Sequence, residues 1–406
     1  MIVRIKDKSH IIKSHDVIMF LLIVSGFAFD DIPYVDLIIQ AIAFAYTAVV
    51  LFTRKQIMGR VSKYALWLVL FSVYSFISSA WASSSNSTAL RCSASVVQAG
   101  LLGITVLVYL DDEKRLLRLI RFYIGSAYII VIRFFIEVPT SFWGKQARIV
   151  DESIFGGNET AVILSYAACI VAWRTMIDKE KTFKTLFFKV VTIALFLLVD
   201  IFMGTKSGLL IFAIGTGVLI IGKTNNPIKI IFRIAIIVSL LFLFFYAMMN
   251  IPILYNSIGY RMEFMINTIT GKGIGDASTM MRMKFVDDAF NVFKNHPIVG
   301  VGQDGFRYVN RYEFTYSHNN YVEILANLGI IGFVIYYSRF VKYIRDAILV
   351  RRITTLPIML LVILLVVDFT GVTYSLENPY ILTSLVIGNL YLIKLQKEGN
   401  AYGNDK

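Results

Sequence analysis

The chain has 406 residues, 57% hydrophobic and only 17% charged, with a mean hydropathy of +0.68. A soluble domain carries about a quarter of charged residues, so this composition excludes an ordinary soluble fold and points to an all-α polytopic membrane protein. The net charge of +13 is then read as orienting the chain in its membrane, not as a nucleic-acid surface; Cys92 and Cys169 stand too far apart to suggest a disulfide framework or a metal site.

Apolar stretches of the roughly 17–25 residues needed to span a bilayer recur along the chain. They fall at about 17–31, 35–52, 64–82, 94–110, 119–137, 159–177, 186–203, 207–222, 228–250, 322–343, 354–373 and 379–396. They predict about twelve transmembrane helices in one integral membrane domain covering 1–406. The first stretch lacks a small-residue cleavage site and is followed at once by a second, so it reads as an uncleaved helix. The seventh and eighth nearly touch at Gly204-Thr205-Lys206-Ser207-Gly208, with the next helix starting at about Ser207.

Between the ninth and tenth spans lies one long connection, 251–321, of a length that usually carries function. Within it, 277–294 has a helical pattern, with Met281, Phe285, Ala289 and Phe293 near one face. Ser278 is its candidate N-cap, Lys284 and Asp288 its expected i,i+4 pair, and the outer membrane interface its expected place. Next comes Pro297-Ile-Val-Gly300-Val-Gly302-Gln-Asp-Gly305-Phe, which matches G-x-G-x-x-G. That pattern signals a dinucleotide only inside a βαβ unit. No such unit surrounds it and no helix pattern begins at Gly305. Gly300, Gly302 and Gly305 are therefore read as a permissive tight turn. Asn319 or Asn320 caps the tenth span.

Lysine and arginine orient the map, because short cytoplasmic loops are enriched in them. With both termini inside, the inner segments take most of the 40 basic residues, including Arg54, Lys55, Lys114, Arg115, Arg118, Arg339, Lys342 and Arg345. The outer side keeps cations that orientation does not explain, among them Arg148, Lys206, Arg261, Lys272, Arg282, Lys284, Lys294, Arg307 and Arg311. Arg133 falls inside the fifth span. Positive charge on the translocated side suggests an anionic ligand. Lys206 is the sharpest case, a cation at a membrane-depth break before a helix N-terminus. His318, at the mouth of the tenth span, is positioned to take a proton near neutral pH. No cluster has metal-ligand spacing.

These features occur in a recognisable order: Arg148 and Gly157-Asn158, then Gly204-Thr-Lys-Ser-Gly, then Arg282, then His296-Pro-Ile-Val-Gly-Val-Gly-Gln-Asp-Gly-Phe306. They close with His318-Asn-Asn-Tyr-Val-Glu323-Ile-Leu-Ala-Asn-Leu-Gly329-Ile-Ile-Gly332. The chain resembles the bacterial O-antigen polymerase and O-antigen ligase superfamily. That resemblance implies a GT-C-like helical fold with one long extracytoplasmic loop in the cytoplasmic membrane, termini inside. It implies a metal-independent, cofactor-free glycosyltransferase that takes glycan from undecaprenyl pyrophosphate at the outer face. The acceptor is another lipid-linked repeat unit for a polymerase, or lipid A core for a ligase. Lipid-linked oligosaccharide, membrane lipid and a chain-length regulator are the implied partners. Carried over by position, pyrophosphate binding falls on Arg148 and Arg282, and help to the acceptor hydroxyl on His318. At Lys206 the family commonly has arginine, and lysine lacks the bidentate fork. Arg261 is grouped with these phosphate-binding cations.

The chemistry asks for the same parts. A departing pyrophosphate needs cations or a helix N-terminus, and the acceptor hydroxyl needs a base, for which Glu323 is the second candidate. A lipid-linked-sugar flippase is the alternative from another class; twelve spans suit it, but the single dominant loop breaks the symmetry of related halves expected of transporters.

Overall fold

The computed structural model describes residues 14–403 apart from 30–31, 33, 54–57, 141–156, 179–181, 223, 225, 273–274 and 313. No strand occurs among the described residues. The helices are α1 Ser14–Ala28, α2 Val35–Thr53, α3 Met58–Ser78, α4 Asn86–Tyr109, α5 Glu113–Glu137, α6 Gly157–Ile177, α7 Phe183–Phe202, α8 Lys206–Gly222 and α9 Pro227–Asn250. The short α10 Pro252–Leu254, α11 Tyr260–Thr270, α12 Ala277–Asn295 and α13 Phe306–Val309 follow. The chain ends with α14 Asn320–Val350, α15 Leu356–Val367 and α16 Glu377–Gly403.

Each of the twelve apolar stretches coincides with a helix. Among the described residues, eight helices are long and apolar enough to cross a membrane, while α1, α8 and α15 are apolar but shorter. Helix α9 shows most directly what surrounds the protein. It buries only Met248, and Phe232 and Phe242 are 67% and 68% exposed. A helix with no polar face suits lipid, not water.

The span expected at 354–373 stops at Val367. Polar groups beyond it bend the chain away: the Asp368 carboxylate accepts from Tyr337 OH at 2.9 Å and from the Thr373 hydroxyl. The N–H groups of Thr373 and Tyr374 donate to Asn320 Oδ1 at 2.9 and 3.0 Å. Those donors are lost to any continuing helix.

The connection at 251–321 is largely helical. A π-helical turn, Tyr255–Gly259, leads into α11. Helix α12 begins where the pattern placed it, but Asp276 caps it, accepting from Thr279 N at 3.2 Å. Ser278 lies one residue inside the helix, too late to cap it. Asp288 also departs from expectation, turning from Lys284 to Arg311, whose N–H it accepts at 2.9 Å and whose Nε lies 3.2 Å away.

The chain forms two compact units, each assembled from three stretches: 1–43, 112–266 and 347–363, and 44–111, 267–346 and 364–406. In the first, α1 packs on α5 through an ion pair between Asp16 and Arg118 at 2.6 Å. Helix α6 packs on α7 and α8, where Ser165 Oγ lies 2.6 Å from Asp200 Oδ2 and 2.7 Å from Gly208 O. Arg133, the cation inside the fifth span, pairs with Glu137 at 2.7 Å. In the second unit α4 packs against α3 and α16, and α14 is broken at Gly329, whose φ is 63°.

Candidate active site

The second unit holds His318. Asn319 opens α14 as expected, its Oδ1 accepting from Tyr321 N at 3.0 Å and Val322 N at 3.3 Å. Asn320, the other possible cap, faces Thr373 and Tyr374, and its own N–H donates to Asp368 O at 2.7 Å. His318 is thereby held at φ 56°, a left-handed backbone that costs a non-glycine residue about 1–3 kcal/mol and tends to mark functional sites. Asp304 and Phe314, nearby in sequence, also have positive φ.

Neighbouring hydrogen bonds offset that strain. Glu323 is 2% exposed, and its two oxygens are both engaged. Oε2 accepts from Ser317 N at 2.7 Å and Oε1 from Asn327 Nδ2 at 3.1 Å. Ser317 Oγ donates to Asn319 O at 2.8 Å. The expected second base is therefore a buried carboxylate bonded to the residue next to His318, a position suited to fixing the turn.

Aromatic contacts place the imidazole. Its ring lies 6.0 Å from the Phe285 ring at 23°, and 4.2 Å from that of Tyr316. Phe285 belongs to α12, three residues after Arg282, so the two share a face of that helix. This packing brings the Arg282 helix against the His318 turn. Arg307 also reaches the cluster: its guanidinium stands 5.9 Å from the Tyr316 ring and 3.5 Å from Asp304 Oδ1. Burial pushes the Asp304 carboxyl above its ordinary value, and the Arg307 charge partly offsets this. The sequence offered no signal for Tyr316, and for Arg307 only its unexplained charge.

The glycine-rich stretch is bound to the break in α14. Val301 N donates to Ala326 O at 2.9 Å, and Ile330 N and Ile331 N donate to Pro297 O and Ile298 O at 2.9 and 3.3 Å. The turn at 297–301 thus satisfies groups that Gly329 frees. Gly300 has φ 68°, and a Cβ there would stand 2.6 Å from Ala326 O. Gly302 has φ 84°, and a Cβ would meet Ala82 N at 2.6 Å and Ser78 O at 2.7 Å. No side chain fits either approach. Contrary to the expectation at Gly305, a one-turn helix, α13, follows it, because Phe306 N finds Asn327 Oδ1 at 2.7 Å. A continuous relay results, from Phe306 through Asn327 and Glu323 to Ser317, beside His318.

Lys206 and Arg261 belong to the first unit. Helix α8 starts at Lys206 itself, one residue before the expected Ser207. The preceding Gly204 has φ 65°, and its carbonyl accepts from Arg261 Nη1 at 2.5 Å. The structure therefore joins the Lys206 turn to Arg261, two cations 55 residues apart in sequence. The α8 N-terminus also adjoins the buried Asp200 carboxylate, whose Oδ2 lies 2.7 Å from where a Gly208 Cβ would stand. Arg148 lies outside the described residues.

Residues 190–337 match the family model described as O-antigen ligase. The match supports the O-antigen polymerase and ligase superfamily, whose members are glycosyltransferase-like enzymes acting on lipid-linked oligosaccharides. It covers Lys206, Arg261, Arg282, His318 and Glu323. No curated protein matches the chain. The apolar helices and the family match together indicate an integral membrane protein.

Proposed function

We propose that the protein is a polysaccharide polymerase, for O-antigen or capsule, that moves glycan from undecaprenyl pyrophosphate to a lipid-linked repeat unit. The reaction takes place at the outer face of the bacterial cytoplasmic membrane. The carrying observation is His318, held in a strained backbone turn against the helix that bears Arg282. His318 takes the proton of the acceptor hydroxyl as its oxygen bonds to the anomeric carbon. The bond from that carbon to the pyrophosphate oxygen breaks, and the leaving group keeps the electron pair. Arg282 is assigned to its negative charge; Arg148, Lys206 and Arg261 are proposed as pyrophosphate-binding by charge and family resemblance alone. Glu323 is assigned a positioning role instead of that of base.

Purified protein given lipid-pyrophosphate oligosaccharide lengthens it without added metal, and His318→Ala and Arg282→Ala stop this. Normal lengthening in both variants refutes the assignment. The ligase reading is the second, favoured by the description of the matching family model. Lipid A core supplied as acceptor separates the two. A flippase would instead move the lipid-linked unit across vesicles without changing its length.

A further inference from the structure

Arg339 fits its expected role as a topogenic cation poorly. Short cytoplasmic loops place such residues in water, whereas Arg339 lies inside α14 and is 5% exposed. The break at Gly329 brings the start of α14 beside this stretch, since Asn320 Nδ2 donates to Tyr337 OH at 3.0 Å and Asp368 lies within electrostatic reach of Arg339. An ionisable side chain buried in a membrane-embedded helix is costly, and it generally marks a site.

Four rings enclose the guanidinium. Its Cζ lies 4.2 Å from the Tyr336 ring centre, 4.5 Å from Trp67, 4.7 Å from Phe340 and 5.1 Å from Tyr380. These contacts cover its flat faces but do nothing for the donors, which point outward in the plane. Among the described residues, neither Nε nor Nη1 has a hydrogen-bond partner. Asp368 acts on Arg339 only through its field and forms no ion pair with it. Two hydroxyls of the same neighbourhood share the deficit. Tyr64 OH, on α3, and Ser384 Oγ, on α16, lie side by side against Gly103, where a Cβ would stand 2.9 Å from Ser384 Oγ. Ser384 acts on Tyr64 as a hydrogen-bonding neighbour, but the two hydroxyls do not meet in good hydrogen-bond geometry and neither has another partner among the described residues. Buried donors are almost always satisfied, and a buried guanidinium with open donors favours a planar-faced oxyanion that can accept from its fork.

We propose that Arg339, Tyr64 and Ser384 form a buried site for one phosphate-class oxyanion, supplied either as the headgroup of an anionic lipid or as free phosphate. The site belongs to α3, α14 and α16 and does not depend on the transfer reaction proposed above. Lysine at 339 keeps the charge but loses the fork, so it binds more weakly.

The test uses the full chain purified in uncharged detergent and chloride buffer. Inorganic phosphate is added in one arm and phosphatidylglycerol in the other. Trp67 fluorescence, 4.5 Å from the guanidinium, reports binding, and Tm reports stabilisation. At ligand a hundredfold above Kd, Tm rises on the order of 5 °C; the rise is smaller in Arg339→Lys and absent in Arg339→Gln. A response to both ligands means that the phosphate group suffices; a response to the lipid alone assigns the site to a headgroup. No response to either overturns the proposal. If Arg339→Gln fails to fold, Tyr64→Phe and Ser384→Ala decide. Removing a ligand-bound hydroxyl weakens the response, whereas removing an unoccupied one raises the basal Tm and leaves the response intact, which also overturns the proposal.

Discussion

Replacing Glu323 with Ala removes the acceptor that holds the His318 turn at Ser317 N and the one that holds Asn327 Nδ2. Ser317 is fully buried, so its N–H cannot turn to water, and leaving such a donor unmet costs about 1–3 kcal/mol. The left-handed backbone of His318 stores about 1–3 kcal/mol of its own. Once the Ser317 bond is gone, that strain is free to relax, and the turn leaves its native geometry. At 1.36 kcal/mol per decade, the competent fraction falls roughly 5- to 150-fold. Gln is a milder change. Its carbonyl still accepts from Ser317 N, but its amide then faces Asn327 Nδ2, donor against donor. Flipping Asn327 relieves this only by turning Nδ2 toward Phe306 N. One hydrogen bond is lost either way, about 1 kcal/mol, or roughly fivefold. The assay is kcat and KM for lengthening lipid-pyrophosphate oligosaccharide, with hydrogen exchange at the Ser317 amide. Positioning through Glu323 predicts graded losses in kcat, Ala worse than Gln, with KM and the pH profile of kcat unmoved and Ser317 exchange accelerated. Glu323→Gln as inactive as His318→Ala would make Glu323 a reacting group, and full activity in Glu323→Ala would remove it from the site.

His318→Gly relieves backbone strain, so the variant melts at or above the wild-type temperature while transfer is lost; a lower Tm would mean the turn is not strained. Gly302→Ala drives a Cβ into Ala82 and Ser78 at positive φ, so it costs more than ~1 kcal/mol, read as a lower Tm or failure to purify; wild-type stability would refute the close approach. Because the folded state raises the Asp304 pKa above 3.8, it binds the proton more tightly than the unfolded chain. Stability from this group therefore falls as pH rises from 3.8 through the raised value. Arg307→Met extends that fall to higher pH and Asp304→Asn flattens it, as thermal melts across acid pH will show; an unchanged slope in Arg307→Met is the contrary result.

Much of the fold could be read directly from the sequence because lipid imposes length and apolarity on every spanning helix. The stretches at 228–250 and 159–177 show this, ending within a residue or two of α9 and α6. The reading failed where polar side chains decide the boundary. Asp368 and Thr373 look tolerable at the end of an apolar run, yet Asn320, some fifty residues earlier, takes the two backbone donors the helix would have needed. Asp276, Ser278 and Thr279 are all competent caps by type. Which of them caps depends on where the preceding turn delivers the chain, and local composition does not record that.

The site divides along the same line. The capping Asn319 is legible from its position, and charge or position marks His318 and Arg282 as candidates whose segments the structure packs together. Glu323 was legible as a residue but not as a role, since only its contacts with Ser317 and Asn327 show that both oxygens are engaged. The glycine stretch is the clearest example. Its spelling suggests a phosphate cradle, whereas Gly300 and Gly302 are required by the backbones of Ala326, Ser78 and Ala82, 26 or more residues away in sequence. Arg339 inverts the error. Counting it among cytoplasmic cations was reasonable, because the positive-inside rule counts residues near span ends and is blind to which face of the helix they occupy. Only the enclosing rings reveal that this arginine faces inward, which is why a buried cation can hide within a charge bias that orientation already explains.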